Sequence, residues 1–420
     1  MRVMVFAAGS RGDVQPLVAL ALGLQRAGHE VVVSAARDFG PFVEARGLAF
    51  HGFSADVRDL LDSDLGRSWL GHSSHRPMLE LKLLTRMVDT WGLALVGEVL
   101  ELAGTADVFI SGVLTIDGTD ALVRAGGGRH AVALMAPFAP TRAGWAGVQA
   151  SRPRAFSRAN LVSGQLMNWF LAGAFSAPGR EIRRRLGIGQ PSRRHLARLY
   201  ADTPTVVGVS PAVVPQPADW PAHLQVTGYW FLDAADAWTP DADLRAFLDA
   251  GEPPVYVGFG SMSTHDSDGT MATILAAVAR AGVRAVVHRG AAGLAAAGLP
   301  AGVHVVDDVP HDWLFPRCAA VIHHGGAGTT AAGLRAGRPT GVVAHIGDQP
   351  FWGRRVHELG VGAPPLRRHE ATAEALGWMV ESLVTSPPIA ARAADLGAVI
   401  RAEDGVARAV EHLERHVGRS

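Results

Sequence analysis

The chain of 420 residues is 48% hydrophobic and carries 39 basic against 39 acidic side chains, which suits two α/β domains of roughly 150–200 residues each and gives no electrostatic footprint for a nucleic-acid partner. A single cysteine, Cys318, excludes an internal disulfide and any cysteine-rich metal site. No apolar run approaches the ~20 residues of a membrane span, and Val3–Ala8 is too short for a signal segment, so the expectation is a soluble, cytoplasmic protein.

Taken in order, Val3–Ala8 reads as a buried strand, Pro16–Ala27 as a helix with Leu17, Leu20 and Leu24 near one face, and Glu30–Ser34 as the next strand. This unit opens a doubly wound parallel sheet, whose ligands sit beyond the carboxyl ends of its strands. The loop Gly9–Gln15 lies at such an end. Asp13 within it reads equally as a helix cap or as a functional acid.

Further strands are expected at Ala106–Ser111, Ala131–Met135 and Val206–Ser210. The Met and aromatic residues between about Asp56 and Gln190 read as core, with some on a cleft wall. The arginine cluster from Arg180 to Arg198 reads as a solvated helix face, with a phosphate or membrane footprint as the lesser alternative. Prolines then crowd the chain from Pro211 to Pro240, as an interdomain linker would. The expected divisions are residues 1–215, a linker over 216–240, a second domain over 241–402, and a terminal helix within 403–420 that packs back on the first domain.

The second domain opens on the strand Val255–Val257 and the turn Gly258–Phe259–Gly260–Ser261, followed by strands at Ala285–His288, Val303–Val306, Ala319–Ile322 and Thr340–Ala344. The most informative stretch is His323-His324-Gly325-Gly326-Ala327-Gly328-Thr329-Thr330. Here a strand ends in glycines and an Ala-rich helix begins. Such a turn lets backbone approach a ligand, and free N–H groups at the helix start make a site for a diphosphate. His324 and Thr329 are placed to add donors. Asp348 and Gln349, just past the next strand, suit sugar hydroxyls, since a carboxylate accepts and an amide both donates and accepts.

His323–Thr330, Gly347-Asp348-Gln349-Pro350 and Gly9-Ser10-Arg11-Gly12-Asp13-Val14-Gln15-Pro16 together resemble the inverting, metal-independent nucleotide-sugar glycosyltransferases of GT-B fold, in the branch that decorates bacterial natural products and its sterol-glucosylating relatives. The resemblance implies two Rossmann-like domains facing across a cleft, an acceptor domain first and a nucleotide-sugar domain second. It implies that Asp13 is the base for the acceptor hydroxyl, that Ser261, His324, Gly326, Gly328 and Thr329 meet the donor diphosphate, and that Val309 holds the nucleotide base through its backbone. Asp348 and Gln349 would hold the sugar. The donor would be a TDP- or UDP-sugar, the acceptor a hydrophobic small molecule, the cofactor requirement none, and the protein a monomer or homodimer.

Other chemistries compete. Gly326-Ala327-Gly328-Thr329-Thr330-Ala331 satisfies a relaxed dinucleotide fingerprint, but it follows the fourth strand of its domain rather than the first. Three Asp-x-Asp triplets, at Asp62, Asp241 and Asp266, could hold a divalent ion, yet none directly follows an apolar strand. His323, His324 and His345 lack a recognised zinc spacing. A non-catalytic activator would be expected to lose Asp13 or Asp348-Gln349, and all three are present.

Overall fold

A computed structural model describes the chain except for residues 55, 57–58, 60–62, 73–76, 234–237, 260–266, 291–298 and 419–420. It divides into two compact units: Met1–Trp69, Met78–Leu232 and Glu403–Ser420 form the first, and Leu70–Pro77 with Asp233–Ala402 the second. Each is built on one parallel sheet.

In the first unit the strands are β1 (Arg2–Phe6), β2 (Glu30–Ala36), β3 (Ala49–Phe53), β4 (Val108–Ser111), β5 (Arg129–Leu134), β6 (Thr205–Val207) and β7 (Leu224–Val226). They lie in the order β3-β2-β1-β4-β5-β6-β7. Val3 pairs with Val31 on one side and Val108 on the other, so β1 is central and, after the exposed Arg2, apolar and buried from Val3 to Phe6, as a strand covered on both faces must be.

The first helix runs Arg11–Arg26, five residues earlier than its proline suggests. Ser10 caps it, and the Asp13 carboxylate reaches back to the Ser10 amide at 2.8 Å, the reciprocal half of a capping box. Pro16 consequently lies inside the helix, where its missing N–H leaves the Gly12 carbonyl without the usual i+4 donor. Val14, Leu17, Val18, Leu20, Ala21 and Leu24 are buried in one cluster with Ala409, Val410, Leu413 and Val417 of the terminal helix Gly405–Val417. A Cβ on Gly23 would lie 2.2 Å from Val406 Cγ1, so only glycine lets these two helices approach as they do.

The proline-punctuated segment 216–240 holds more structure than a linker. Leu224–Val226 is the edge strand of the sheet, and the Gln216 side chain bonds both Leu224 O and Val226 N, at 2.9 and 2.8 Å. Trp230 is buried, donating to Thr227 Oγ1 at 3.1 Å. A strand of three residues is too short to show a period.

The arginine cluster also departs from expectation. Arg183 is wholly buried, its guanidinium 2.6 Å from Asp117 Oδ1 and 2.9 Å from Asp120 Oδ2. Arg124 and His195 complete the group on Asp120, at 3.0 and 3.3 Å. These residues tie together the helices Ile116–Gly126, Ala177–Arg185 and Arg193–Asp202. A charge is tolerated there because it is paired. Arg184 and Arg185 do remain on the surface, paired with Glu181.

In the second unit the strands are β8 (Val255–Gly258), β9 (Ala285–His288), β10 (Val303–Val306), β11 (Ala320–His323), β12 (Thr340–Ala344) and β13 (Leu366–Arg367), in the order β10-β9-β8-β11-β12-β13. Alternate residues of β8 and β11 enter different clusters. Val255, Val257, Ala320 and Ile322 join Met379 and Leu383 on one face, while Tyr256 and Val321 join Leu314 and Phe315 on the other. Burial on both faces explains the unbroken apolar runs.

Each sheet reverses its winding direction once, between β1 and β4 in the first unit and between β8 and β11 in the second. A doubly wound sheet opens a crevice at that point, outside the strand carboxyl ends. Asp13 follows β1 and the glycine turn follows β11, so each motif lies at the reversal of its own sheet.

Candidate active site

At the end of β1, Gly9 takes a φ of +127°, and a Cβ there would lie 2.4 Å from Asp13 Oδ2. Glycine is required twice over, for the backbone angle and for room to seat the carboxylate. The Ser10 amide and Ser10 Oγ both donate to Oδ2, at 2.8 and 3.0 Å. Burial nevertheless holds the Asp13 pKa above the ordinary carboxylate range, outweighing those two bonds, which lower it. The residue keeps solvent access, so protein crowds the carboxyl without sealing it. Capping and an altered acidity therefore reside in one side chain.

In the second unit, β11 runs into His323, and Gly325 turns the chain with a φ of +90°. A Cβ on Gly325 would meet Val342 Cγ1 at 2.7 Å, and one on Gly326 would meet His324 Nε2 at 2.6 Å. Gly326 is the N-cap of the helix Ala327–Arg335 and supplies no capping side chain. The amides of Ala327, Gly328 and Thr329 precede the first intrahelical donor, Thr330 N, which bonds Gly326 O at 2.9 Å. Three convergent N–H groups at the positive end of a helix, with no N-cap side chain bonded to them, form an anion cradle.

The two histidines of the turn differ. His323 is fully buried and accepts from Gly325 N at 2.9 Å through Nδ1, so it shapes the turn. His324 is less enclosed, and its Nδ1 is buried with no hydrogen-bond partner. Burial lowers its pKa to about 4. A neutral imidazole remains a hydrogen-bond donor, and an arriving anion would favour its charged form.

After β12 the chain brings His345, Asp348 and Gln349 to the same end of the sheet. Gln349 is buried, and its Oε1 accepts from the amides of His345 and Ile346, at 2.7 and 3.0 Å. Only the amide nitrogen is then available for a ligand. Asp348 starts the helix Gln349–Glu358 and accepts from Trp352 Nε1 at 2.7 Å through Oδ2. Both residues predicted to hold a sugar are thus fixed by structural bonds, which orient them.

The sequence offers His345 only as a possible metal ligand. Its Nδ1 is buried without a partner, its ring lies 5.5 Å from that of Phe259, and burial and the Arg368 charge lower its pKa to about 3. Arg368 itself gave no signal, because it comes from a short turn after β13. Ser261 and Gly260 lie outside the described residues. Val309 packs partly buried on the cluster of Leu314 and Phe315, beside Asp307, which pairs with Arg289 at 2.8 Å.

Of the acidic triplets, Asp241 caps a helix by accepting from Leu244 N at 2.6 Å, and Asp62 and Asp266 lie outside the described residues. Among the described residues no cluster of His, Cys, Asp or Glu has metal-site geometry. No described helix is long and apolar enough to cross a membrane.

Buried neutral histidines carry a consequence for stability. His130, bonded to Ser111 Oγ at 2.7 Å, is lowered to about 4, as is His324, and His345 to about 3. Each folded pKa lies below the unfolded value near 6.5, so the unfolded chain binds more protons between pH 6.5 and 4 and is favoured as pH falls. The unfolding temperature should drop across that window, and the drop should shrink in His130→Leu. An equal drop in the variant would show that His130 is not held neutral.

Two doubly wound sheets, one followed by a carboxylate of altered acidity and one by a glycine turn at an uncapped helix start, have the form of a nucleotide-using α/β enzyme. Residues 3–90 match the glycosyltransferase family 28 N-terminal domain, and residues 272–414 the C-terminal domain of the erythromycin biosynthesis protein CIII-like family. The chain is 33% identical to the sterol 3-beta-glucosyltransferase UGT80B1 of Arabidopsis thaliana, over 99% of this chain and 68% of that protein. It is 33% identical to the O-mycaminosyltylonolide 6-deoxyallosyltransferase of Streptomyces fradiae, over 99% and 97%. It spans only 30% of the Aspergillus fumigatus sterol 3-beta-glucosyltransferase, at 31% identity. The crystal structure of the glycosyltransferase VinC in complex with DTDP shares the fold, with a TM-score of 0.66 at 21% identity over 100% of each chain. The chain belongs to this glycosyltransferase family, as the three motifs imply.

Proposed function

We propose that this enzyme moves a hexosyl group from a TDP- or UDP-sugar to a hydroxyl of a hydrophobic natural product of polyketide, macrolide or glycopeptide type, with inversion and without a metal. The observation that carries the reading is the uncapped helix start at Gly326, with the His324 ring beside it through Nε2 and its Nδ1 without a partner. A diphosphate leaving group gains charge as the glycosidic bond breaks. The amides of Ala327–Thr329, the Thr329 hydroxyl and His324 stabilise that charge where a metal would otherwise be needed, with Ser261 as a further donor. Val309 offers backbone to the nucleotide base.

Asp348 and the Gln349 amide nitrogen hold the sugar and orient its anomeric carbon. Asp13 takes the acceptor proton as the acceptor oxygen forms the new bond; Ser10 holds Oδ2 and Oδ1 receives the proton. A raised pKa suits a base that works near neutrality. Transfer to a sterol is the second reading, supported by the 33% identity to UGT80B1.

The test is a panel of TDP- and UDP-sugars against macrolide, aromatic polyketide and sterol acceptors, scored by the mass of an added hexose, with a chelator in half the reactions. Product that survives chelation fits the proposal; product that disappears with chelator contradicts metal independence, and no product from any pair contradicts the substrate class. In the same assay Asp348→Ala should weaken nucleotide-sugar binding about tenfold more than binding of the free nucleotide, the range of one or two lost hydrogen bonds. An equal loss of both would move Asp348 off the sugar.

A further inference from the structure

The helix Arg158–Ala174 of the first unit is inverted. Its buried positions are polar: Asn160 donates to the carbonyls of Arg142, Arg152 and Ala155 and accepts from Arg152 N at 2.7 Å, and Asn168 donates to Phe138 O. Its outer face is apolar. Val162, Leu166, Trp169 and Phe170 recur at helical spacing and are 50%, 54%, 42% and 50% exposed, with Phe156 also 50% exposed just before the helix. In water such a face costs stability, and a contiguous patch of this kind marks a docking surface.

The charge around it identifies the partner. Of the 13 arginines between Ala121 and Ala201, Arg124 and Arg183 pair with Asp120 and Asp117, Arg198 with Asp202, and Arg184 and Arg185 with Glu181, so the charge at the patch lies on the arginines beside it. Arg154 and Arg158 are exposed at the start of the apolar face, and Arg193 and Arg194 are exposed on the adjacent helix Arg193–Asp202. The Arg193 guanidinium stacks 3.4 Å from the centre of the Trp169 ring and donates to Trp169 O at 2.9 Å, fixing a cation at the rim of the patch. A second copy of the chain would lay these arginines against their own counterparts. Apolar side chains ringed by arginines instead match a helix that lies in the interface of an anionic bilayer.

We propose that the face of Val162, Leu166, Trp169 and Phe170, with Arg154, Arg158, Arg193 and Arg194 around it, docks the enzyme in plane on an anionic lipid surface. The inference is independent of the sugar-transfer chemistry and is tested without it. The full chain is sedimented with vesicles of phosphatidylcholine alone and of phosphatidylcholine with phosphatidylglycerol. Wild type should pellet with the anionic vesicles, less so in high salt as the arginine contribution is screened, and hardly at all with the neutral ones. Leu166→Glu/Phe170→Glu should reduce the bound fraction about tenfold or more, and Arg154→Gln/Arg158→Gln should reduce it on anionic vesicles. Unfolding temperature and TDP binding are followed in each variant, and the milder Val162→Ser should show partial loss. Absence of binding to anionic vesicles, equal binding by the double glutamate variant, or a dimer that this variant dissociates in the absence of vesicle binding would each overturn the proposal.

Discussion

Asp13→Asn is expected to reduce transfer by at least about 10²–10⁴-fold, the contribution of a general base, while nucleotide binding in the second unit stays near wild type. The amide keeps the size of the side chain and can still accept from Ser10, but cannot take a proton. Its effect on stability separates the two roles of this residue. The folded pKa of Asp13 is raised above its unfolded value, so above that pKa the ionised carboxyl is less favourable in the folded state than in the unfolded one. A neutral replacement should then leave the unfolding temperature at pH 7 unchanged or higher. In wild type, kcat/KM should rise with pH through an acid limb lying above the ordinary carboxylate range. Retained turnover in Asp13→Asn would remove the residue from the base role, and a large loss of stability with normal turnover per folded molecule would leave it only the capping role.

Arg183→Ala should be the most damaging substitution for folding. It removes the guanidinium that pairs with Asp117 and one of the partners of Asp120, and that guanidinium is wholly buried. Breaking a buried pair by removing one partner typically costs about 3–5 kcal/mol, because the remaining charge is left in a poorly solvating interior. Burial already raises the Asp117 pKa despite Arg183; without the arginine it should rise further, so the defect should ease as pH falls. Urea unfolding of Arg183→Ala, alone and combined with Asp117→Asn/Asp120→Asn, checks both statements. Recovery in the triple variant is expected. A defect under about 1 kcal/mol would place the cluster among ion pairs that contribute little.

Much of the architecture was legible in the sequence because a parallel sheet buried on both faces writes its strands as unbroken apolar runs. Ala285–His288, Val303–Val306 and Thr340–Ala344 have the bounds read from the sequence. What escaped has physical reasons. The preference of proline for a first turn starts the first helix at Pro16, whereas the Ser10–Asp13 reciprocal cap begins it at Arg11 and carries Pro16 inside. Edge strands such as Leu224–Val226 and Leu366–Arg367 are too short for any period to show. Arg183 could not be told from its neighbours Arg184 and Arg185, because its burial depends on two aspartates more than sixty residues away in sequence.

Aromatic residues in this stretch of sequence suggest mainly core, yet Phe156, Trp169 and Phe170 are exposed. Here the sequence did hold a clue. Asn160 and Asn168 are eight residues apart and so share one helix face, opposite Val162, Leu166, Trp169 and Phe170. At the site, the glycine turn was legible because its backbone angles and close approaches admit little else, whereas the use of Gln349 Oε1 and Asp348 Oδ2 in structural bonds needed coordinates.

The central claim is that the turn at Gly325–Gly326 and the helix start behind it hold the donor diphosphate. A crystal structure with bound TDP or UDP tests it most directly. The diphosphate oxygens should lie within hydrogen-bond distance of the amides of Ala327, Gly328 or Thr329 and of His324. Electron density for the nucleotide at any other position on the chain, with that helix start empty, would contradict the account.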